Sequence, residues 1–339
     1  MGRCKLEEFI SYEQPTKYIV DSDQYDDSYK IPVLTAGKSF ILGYTDEKNN
    51  IFDNLPVIIF DDFTTSVQFV DFPFKVKSSA MKLLKNTEQA DIKYCYYLLK
   101  FLQHTPENHK RQWLSATSQN IVELPIIEKQ KNIVRKLDKI LEVIDNQNKQ
   151  LELLDEAIKA RFVEMFGEIE DCDKWESKIW NEVVTIKNGR DYKKVLVSDG
   201  GYPVVGTGGE IARASKYLCP ENTIVVGRKG SINNPMLMKE KFWNVDTAFG
   251  VIPNSDYLHY QYLYCFCKFY NFMKLNKATT LPSTTKADLL KIRINIPPLE
   301  LQNQFASFVQ EIDKSRSRIQ KSLEASQELF DSLMQEYFG

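Results

Sequence analysis

Long apolar runs are missing from this chain of 339 residues. None reaches 18 in a row, and the opening MGRCKLEEFISYEQ has no apolar signal-peptide core. No membrane span or secretory leader is expected, and the chain reads as cytoplasmic. Histidine is scarce: His104, His109 and His259 are the full set, there is no HExxH, and no metal site is expected. The six cysteines (Cys4, Cys95, Cys172, Cys219, Cys265, Cys267) form no CxxC and no regular framework, and read as reduced, mostly buried thiols. Catalytic signatures are missing too. The Asn/Asp-Pro-Pro-aromatic string of amino-methyltransferases is absent, NNPM (233–236) and NIPPL (295–299) being the nearest approaches. AGKS (36–39) has the tail of a P-loop, but Pro32 stands where its first glycine belongs. GTGGE (206–210) lacks the third glycine of GxGxxG, leaving a tight turn or a close backbone approach to a phosphate. With no Ser/His/Asp order and no paired carboxylates demanding a site, the chain reads as a non-enzyme without catalytic residues.

What the chain does have is a repeat. LPIIEKQKNI (124–133) returns as IPPLELQNQF (296–305), and the two copies align without a gap to Phe166–Gly167 and Phe338–Gly339. Over these 44 positions 11 are identical, among them Pro125/Pro297, Glu128/Glu300, Gln130/Gln302 and Leu151/Leu323. A repeat of this length dictates how the rest is parsed. Its apolar residues step by four and three: Ile133, Leu137, Ile140, Ile144, Leu151, Leu154 and Ile158 in the first copy, with Gln147 in the vacant slot. Phe305, Val309, Ile312, Ile319, Leu323, Phe330 and Leu333 follow the same phase in the second, broken by Arg316 and Ser326. That is a heptad seam. Pro125 and Pro297–Pro298 near the start of each copy suit a helix opening, and Gly167 and Gly339 a helix end. Each copy is predicted to be one helix near 40 residues, about 60 Å long. One apolar stripe of that length needs a cover, and the economical cover is the other copy, packed antiparallel.

The segments ahead of the helices also run in parallel. IPVLTAGKSF (31–40) matches YPVVGTGGEI (202–211), PVIIFDDFTTS (56–66) matches NTIVVGRKGSI (222–232), and FPFKVKSSAMKLL (72–84) matches KFWNVDTAFGVI (241–252). An aromatic-rich helix follows in each, 92–102 and 257–270, expected to be core and not a stacking platform. The fold class expected is therefore α+β: two mixed domains separated by an antiparallel pair of long coiled-coil helices in a pseudo-two-fold repeat. The boundaries expected are 1–123 and 168–295 for the domains, 124–167 and 296–339 for the helices.

The net charge of −2 is unevenly spread. Six basic residues and one acid lie between Lys268 and Arg293, and eight basic residues and four acids between Asp71 and Arg111. Basic faces of this kind suit a polyanion. GRKGSINN (227–234) sets Arg228 and Lys229 between two glycines at the end of an apolar strand, where an arginine fork can bind guanine O6 and N7. LNKATTLPSTTKADL (275–289) offers Lys277, Thr279, Thr280 and Thr284, amine and hydroxyl donors suited to phosphates and base edges. In the first half the matching candidates are Lys38, Ser39, Thr64, Thr65, Lys75, Lys77, Lys110, Arg111 and Thr117, and Lys187, Arg190 and Lys216 complete the set.

The Pro…Glu-x-Gln helix repeat with its Phe-Gly endings, together with the TGG and RKGSI turns, resembles the specificity (S) subunit of type I restriction–modification systems over essentially the whole chain. The resemblance implies two target-recognition domains, each reading one half of a split, asymmetric site in double-stranded DNA. It implies as partners two modification (methyltransferase) subunits and restriction (endonuclease/translocase) subunits. S-adenosylmethionine would then be held by the methyltransferase partners, with no cofactor in this chain. FDDFTTS stands where the second half has RKGSI, so the two domains are expected to read different sequences. A stand-alone DNA-binding or scaffold protein, or the specificity module of a single-chain nuclease–methylase, would share this plan.

Overall fold

The computed structural model describes residues 2–35, 37, 39–106, 111–170, 174–276 and 282–339. Two compact units emerge, Met1–Gln147 with Ser322–Gly339, and Asn148–Lys321. The first contains β1 (Gly2–Lys5), β2 (Ile10–Glu13), β3 (Ile31–Leu34), β4 (Ile41–Thr45), β5 (Val57–Asp61), β6 (Val67–Val70), β7 (Lys75–Val76), β8 (Met81–Asn86), α1 (Ile92–Phe101), α2 (Gln112–Ser115) and β9 (Ile121–Leu124). The helix α3 (Ile127–Phe166) begins in this unit and ends in the second. The second contains β10 (Ser177–Ile179), α4 (Trp180–Val183), β11 (Val184–Asn188), β12 (Leu196–Val197), β13 (Tyr202–Gly206), β14 (Gly209–Ala214), β15 (Thr223–Gly227), β16 (Met236–Met238), β17 (Trp243–Asn244), β18 (Ala248–Pro253), α5 (Tyr260–Phe269), α6 (Lys286–Leu289) and β19 (Arg293–Asn295). The helix α7 (Leu299–Phe338) begins there and returns to the first unit.

The two units repeat one another strand for strand. A four-stranded sheet runs β2-β8-β5-β6 in the first and β11-β18-β15-β16 in the second. A second sheet runs β4-β3-β7 and β14-β13-β17, with β12 added outside β14. Its β3–β7 and β13–β17 pairs are parallel, and each hairpin carries a bulge at the same place, Val33/Leu34 and Val204/Val205. A two-stranded ribbon, β1-β9 or β10-β19, delivers the chain to the long helix. The buried runs Val57–Asp61 and Thr223–Gly227 are the central strands, as their unbroken apolar sequences require.

Both long helices have 40 residues. Within the first unit α3 meets the C-terminal part of α7: Gln147 Nε2 donates to Ser322 Oγ at 2.8 Å and Lys136 Nζ to Tyr337 OH at 3.2 Å. Within the second, α3 meets the N-terminal part of α7: Phe162 and Phe305 lie 5.6 Å apart and Arg316 Nη2 donates to Asp155 Oδ1 at 2.9 Å. The pair is antiparallel, and of the polar breaks in the seam Gln147 and Arg316 bond to the facing helix, while Ser326 Oγ donates to Ser322 O on its own. The aromatic helices are core, as expected. Tyr97 of α1 packs with Ile133 and Leu137 of α3 and Phe330 of α7, and Tyr262 of α5 stacks on Phe162 at 5.4 Å beside Phe166 and Phe305.

The repeated glutamine explains the Glu-x-Gln signature. Gln130 and Gln302 are fully buried. Gln130 Oε1 accepts from Asp91 N at 2.8 Å, while Nε2 donates to Pro125 O at 2.7 Å and Gln89 O at 3.1 Å. Gln302 does the same with His259 N, Pro297 O and Tyr257 O, at 2.8, 2.8 and 2.9 Å. Asp91 and His259 are the N-caps of α1 and α5. One amide thus ties the start of the long helix to the start of the aromatic helix, satisfying backbone groups that burial would otherwise orphan. Pro125 and Pro297 sit two residues ahead of the first helical residue and present this carbonyl, while Pro298 O accepts the first helical bond, from Gln302 N at 3.1 Å. Gln302→Ala should cost about 3 kcal/mol of unfolding free energy in urea titration, because three buried groups lose their partner. Gln302→Glu should be no better, since its carboxylate would face two carbonyls.

The caps themselves differ. His259 Nδ1 accepts from Gln261 N at 3.1 Å, which requires the neutral ring. Burial lowers the His259 pKa. The folded-state value lies below the unfolded one, so this stabilisation is present above about pH 6.5 and is lost as pH falls. His259→Asn caps without titrating. The difference in urea midpoint between wild type and this variant should shift against wild type between pH 7.5 and pH 5.5.

Candidate nucleic-acid interface

At one end of the second unit three strand ends and a loop converge. The strand β15 ends at Gly227, where a Cβ would lie 2.7 Å from Ser231 O, so only glycine lets the next loop double back this tightly. Arg228 N then donates to Thr247 O at 2.8 Å and Arg228 O accepts from Thr284 N at 3.0 Å. Lys229 bridges to Ser283, and Gly230 N donates to Pro282 O. The end of β11 joins them: Arg190 N donates to Asn244 O, and Gly189 approaches Val245 O so closely that a Cβ would come within 1.8 Å. The Arg228 guanidinium lies over the Phe249 ring, 6.0 Å from its centroid, and Nη1 donates to Asp246 O at 3.4 Å. Its plane is braced while its edge faces solvent, the geometry of a fork. Arg228, Lys229 and Lys286 with Asn188, Phe249, Ser283, Thr284 and Thr285 line a concavity of about 320 Å³, with no carboxylate in its wall.

The same backbone lattice recurs in the first unit with opposite chemistry. Asp62 N donates to Ala80 O and Asp62 O accepts from Gln112 N, the bonds Arg228 makes with Thr247 and Thr284. In the strand registers Phe60 faces Lys82 where Val226 faces Phe249. Asp62 therefore holds the place of Arg228, and Lys82 that of Phe249. These two residues form an ion pair, Lys82 Nζ to Asp62 Oδ2 at 3.3 Å, with side chains only 1% and 2% exposed. Trp113 N donates to Asp62 Oδ1 at 2.9 Å, the Trp113 ring packs on Phe60, and the Tyr12 ring lies over the ammonium at 5.2 Å. Where the second unit is open and cationic, the first is closed and neutralised.

Comparison with known proteins gives this frame its context. Residues 172–327 match the family described as the type I restriction modification DNA specificity domain. The specificity subunit of an Escherichia coli type I restriction enzyme is 31% identical over 366 residues, spanning 96% of this chain and 89% of its own. The chain belongs to the type I restriction–modification specificity subunits. In fold, this specificity subunit is similar to the S subunit of a type I system from M. genitalium, with a TM-score of 0.67 at 16% identity over 100% of this chain and 96% of that one. It is also similar to a chain from a structure of type I restriction–modification complex assembly and conformational transition, with a TM-score of 0.53 at 14% identity over 99% and 97% of the two chains.

Of the residues singled out in the subunit's sequence, Arg228, Lys229 and Thr284 line the concavity just described; Arg190 joins the same end through its backbone, and Lys187 is exposed on β11 outside the concavity's wall. Four of the candidates are corrected by burial. Lys75 is sequestered by Glu47 and by Asn49 O, a charge in the interior that needs its counter-ion. Thr65 donates to His104 O at 2.6 Å and Thr284 donates to Gly227 O at 2.9 Å, so these hydroxyls serve the loops' shape, and Thr117 is buried away from solvent. Lys77 pairs with Asp23 of the acidic loop, Thr64 donates to Asp61 Oδ2, and Ser39 and Arg111 are exposed. Lys216 is exposed at the far end of the β13–β14 hairpin from the Gly206–Gly209 turn. Lys38, Lys110, Lys277, Thr279 and Thr280 lie outside the described residues. Sequence reasoning missed Asn188, Phe249 and Lys286. The basic run after Lys268 carried a signal for Lys286; nothing marked the other two. Burial pushes the Cys219 and Cys265 thiols up to about 12, which makes these two inert. Among the described residues no helix is long and apolar enough to cross a membrane, and no cluster of His, Cys, Asp and Glu could hold a metal ion.

Asp62→Asn leaves the buried Lys82 ammonium without a counter-charge and should cost about 3–5 kcal/mol. The joint change Asp62→Asn with Lys82→Met should be much milder in the same urea titration.

Proposed function

We propose that this specificity subunit reads a bipartite, asymmetric DNA site, one half with residues 1–123 and the other with residues 168–295. The helices 124–167 and 296–339 act as spacer and scaffold between them. The single observation that carries the reading is one backbone lattice built twice, with a braced arginine in an open basic concavity in one copy and a sealed ion pair in the other. Two copies of one frame suit two half-sites, and different side chains at the same place suit two different sequences.

In this division of labour Arg228 reads a base edge, as a guanidinium does at guanine O6 and N7. Lys187, Arg190, Lys229 and Lys286 hold phosphates, and of the remaining candidates Ser39, Thr64, Lys77, Arg111 and Lys216 contact DNA, as would Lys38, Lys110, Lys277, Thr279 and Thr280. Two modification subunits and restriction subunits assemble on this chain. Adenine methylation, with S-adenosylmethionine, belongs to the modification subunits, and this chain contributes no catalytic group.

The test is site selection from random duplexes with the full chain. Wild type should select two defined half-sites separated by a fixed gap. Arg228→Ala should lose about 1–3 kcal/mol of discrimination at one position of one half-site. Lys229→Ala should weaken all duplexes alike and lower the salt slope by about 0.9. A chain that selects a single continuous site, or none, would sink the proposal.

A further inference from the structure

The closed locus of the first domain is apolar on the outside. Phe63 follows Asp62 as Lys229 follows Arg228, and Leu114 lies two residues beyond Gln112 as Lys286 lies two beyond Thr284. Two of the three cations lining the second domain's concavity are thus replaced by Phe63, 37% exposed, and Leu114, 55% exposed, while the third is replaced by the sealed Asp62. Scattered exposed apolar residues need no explanation. These two occupy the repeat-equivalent positions of a cationic concavity, and Tyr12, 41% exposed, flanks the same ion pair. The charge of the domains follows suit: residues 1–123 hold 14 Lys and Arg against 17 Asp and Glu, and residues 168–295 hold 18 against 14.

We infer that the first domain reads the 5-methyl group of a thymine through Phe63 and Leu114, at the locus where the second domain presents its arginine. The inference rests on the DNA-reading function proposed above. The thymine methyl is the one apolar feature on the major-groove edge of the bases, and an aromatic or aliphatic side chain is its natural contact. A cation at this place would be drawn to phosphates or to guanine. Asp62 cancels Lys82 inside the protein, and the Asp61 carboxylate is taken up by the Phe63 amide and the Thr64 hydroxyl, so Phe63 and Leu114 offer the groove an apolar contact beside the exposed Arg111. The ion pair and Trp113 position the loop; Phe63 and Leu114 make the contact.

The experiment uses the full chain and the site that it selects, with the half-site altered by Arg228→Ala assigned to the second domain. Each thymine of the other half-site is replaced in turn by uracil, which removes the methyl and leaves every hydrogen-bonding group in place. At least one replacement should weaken wild-type binding by about fourfold, the equivalent of about 0.8 kcal/mol for one buried methyl. The same replacement should be without effect on Phe63→Ala or on Leu114→Ala, whose exposed positions leave the fold intact. The inference is overturned if that half-site contains no A·T pair, if every uracil is neutral in wild type, or if the sensitivity persists in both variants. In those cases the selected site still stands and only the methyl contact falls. Selection of no site would take the DNA-reading function down with it.

Discussion

Everything in this subunit hangs from one amide, used twice. The long helix and the aromatic helix of each domain begin side by side, and both beginnings expose backbone groups to an interior without water. The side chains of Gln130 and Gln302 reach across, accept from one N-cap residue and donate to two carbonyls. Removing either leaves no neighbour able to replace three bonds at once. Below the clasp, the aromatic helix packs on the seam of α3 and α7; beyond it, the sheets pack on the aromatic helix. The positions of the loops at Asp62 and Arg228 are therefore inherited from the clasp.

The freedom of the frame lies in what it leaves unspecified. Backbone bonds at Asp62 and at Arg228 are the same, yet one side chain is sealed by Lys82 and Trp113 and the other is displayed on Phe249. Main-chain geometry holds the loop, so the side chain is available for chemistry. A neutral, apolar surface and a basic concavity are both compatible with one strand end.

Much of the frame was legible in the sequence, because repetition and periodicity act over many residues. The two helices, their polar breaks, the aromatic core helices and the paired strands all follow from patterns that no single residue could spoil. The roles of individual residues were less legible. Lys75 and Lys82 look like surface cations in a basic stretch, and only the fold brings Glu47 and Asp62 to them across tens of residues. Thr65 and Thr284 have the composition of a binding loop, but a hydroxyl near a carbonyl serves the loop first. The prolines stand ahead of the helices as their sequence position suggests, and the carbonyls of Pro125 and Pro297 also accept from the clasp amides. Phe249, which braces Arg228, carries no mark at all in a strand of apolar neighbours.

The sealed pair at Asp62 and Lys82 also bears on how such a subunit can change over generations. Moving the first domain toward the second by single substitutions requires an intermediate in which one buried charge has lost the other, and that intermediate is poorly folded. The same holds in reverse, where an aspartate facing Phe249 would have no cation. Neighbouring specificities are thus separated by a stability barrier although the frames are nearly the same. Lineages should cross it by exchanging whole domains more readily than by drifting one residue at a time, and recognition should be inherited in blocks.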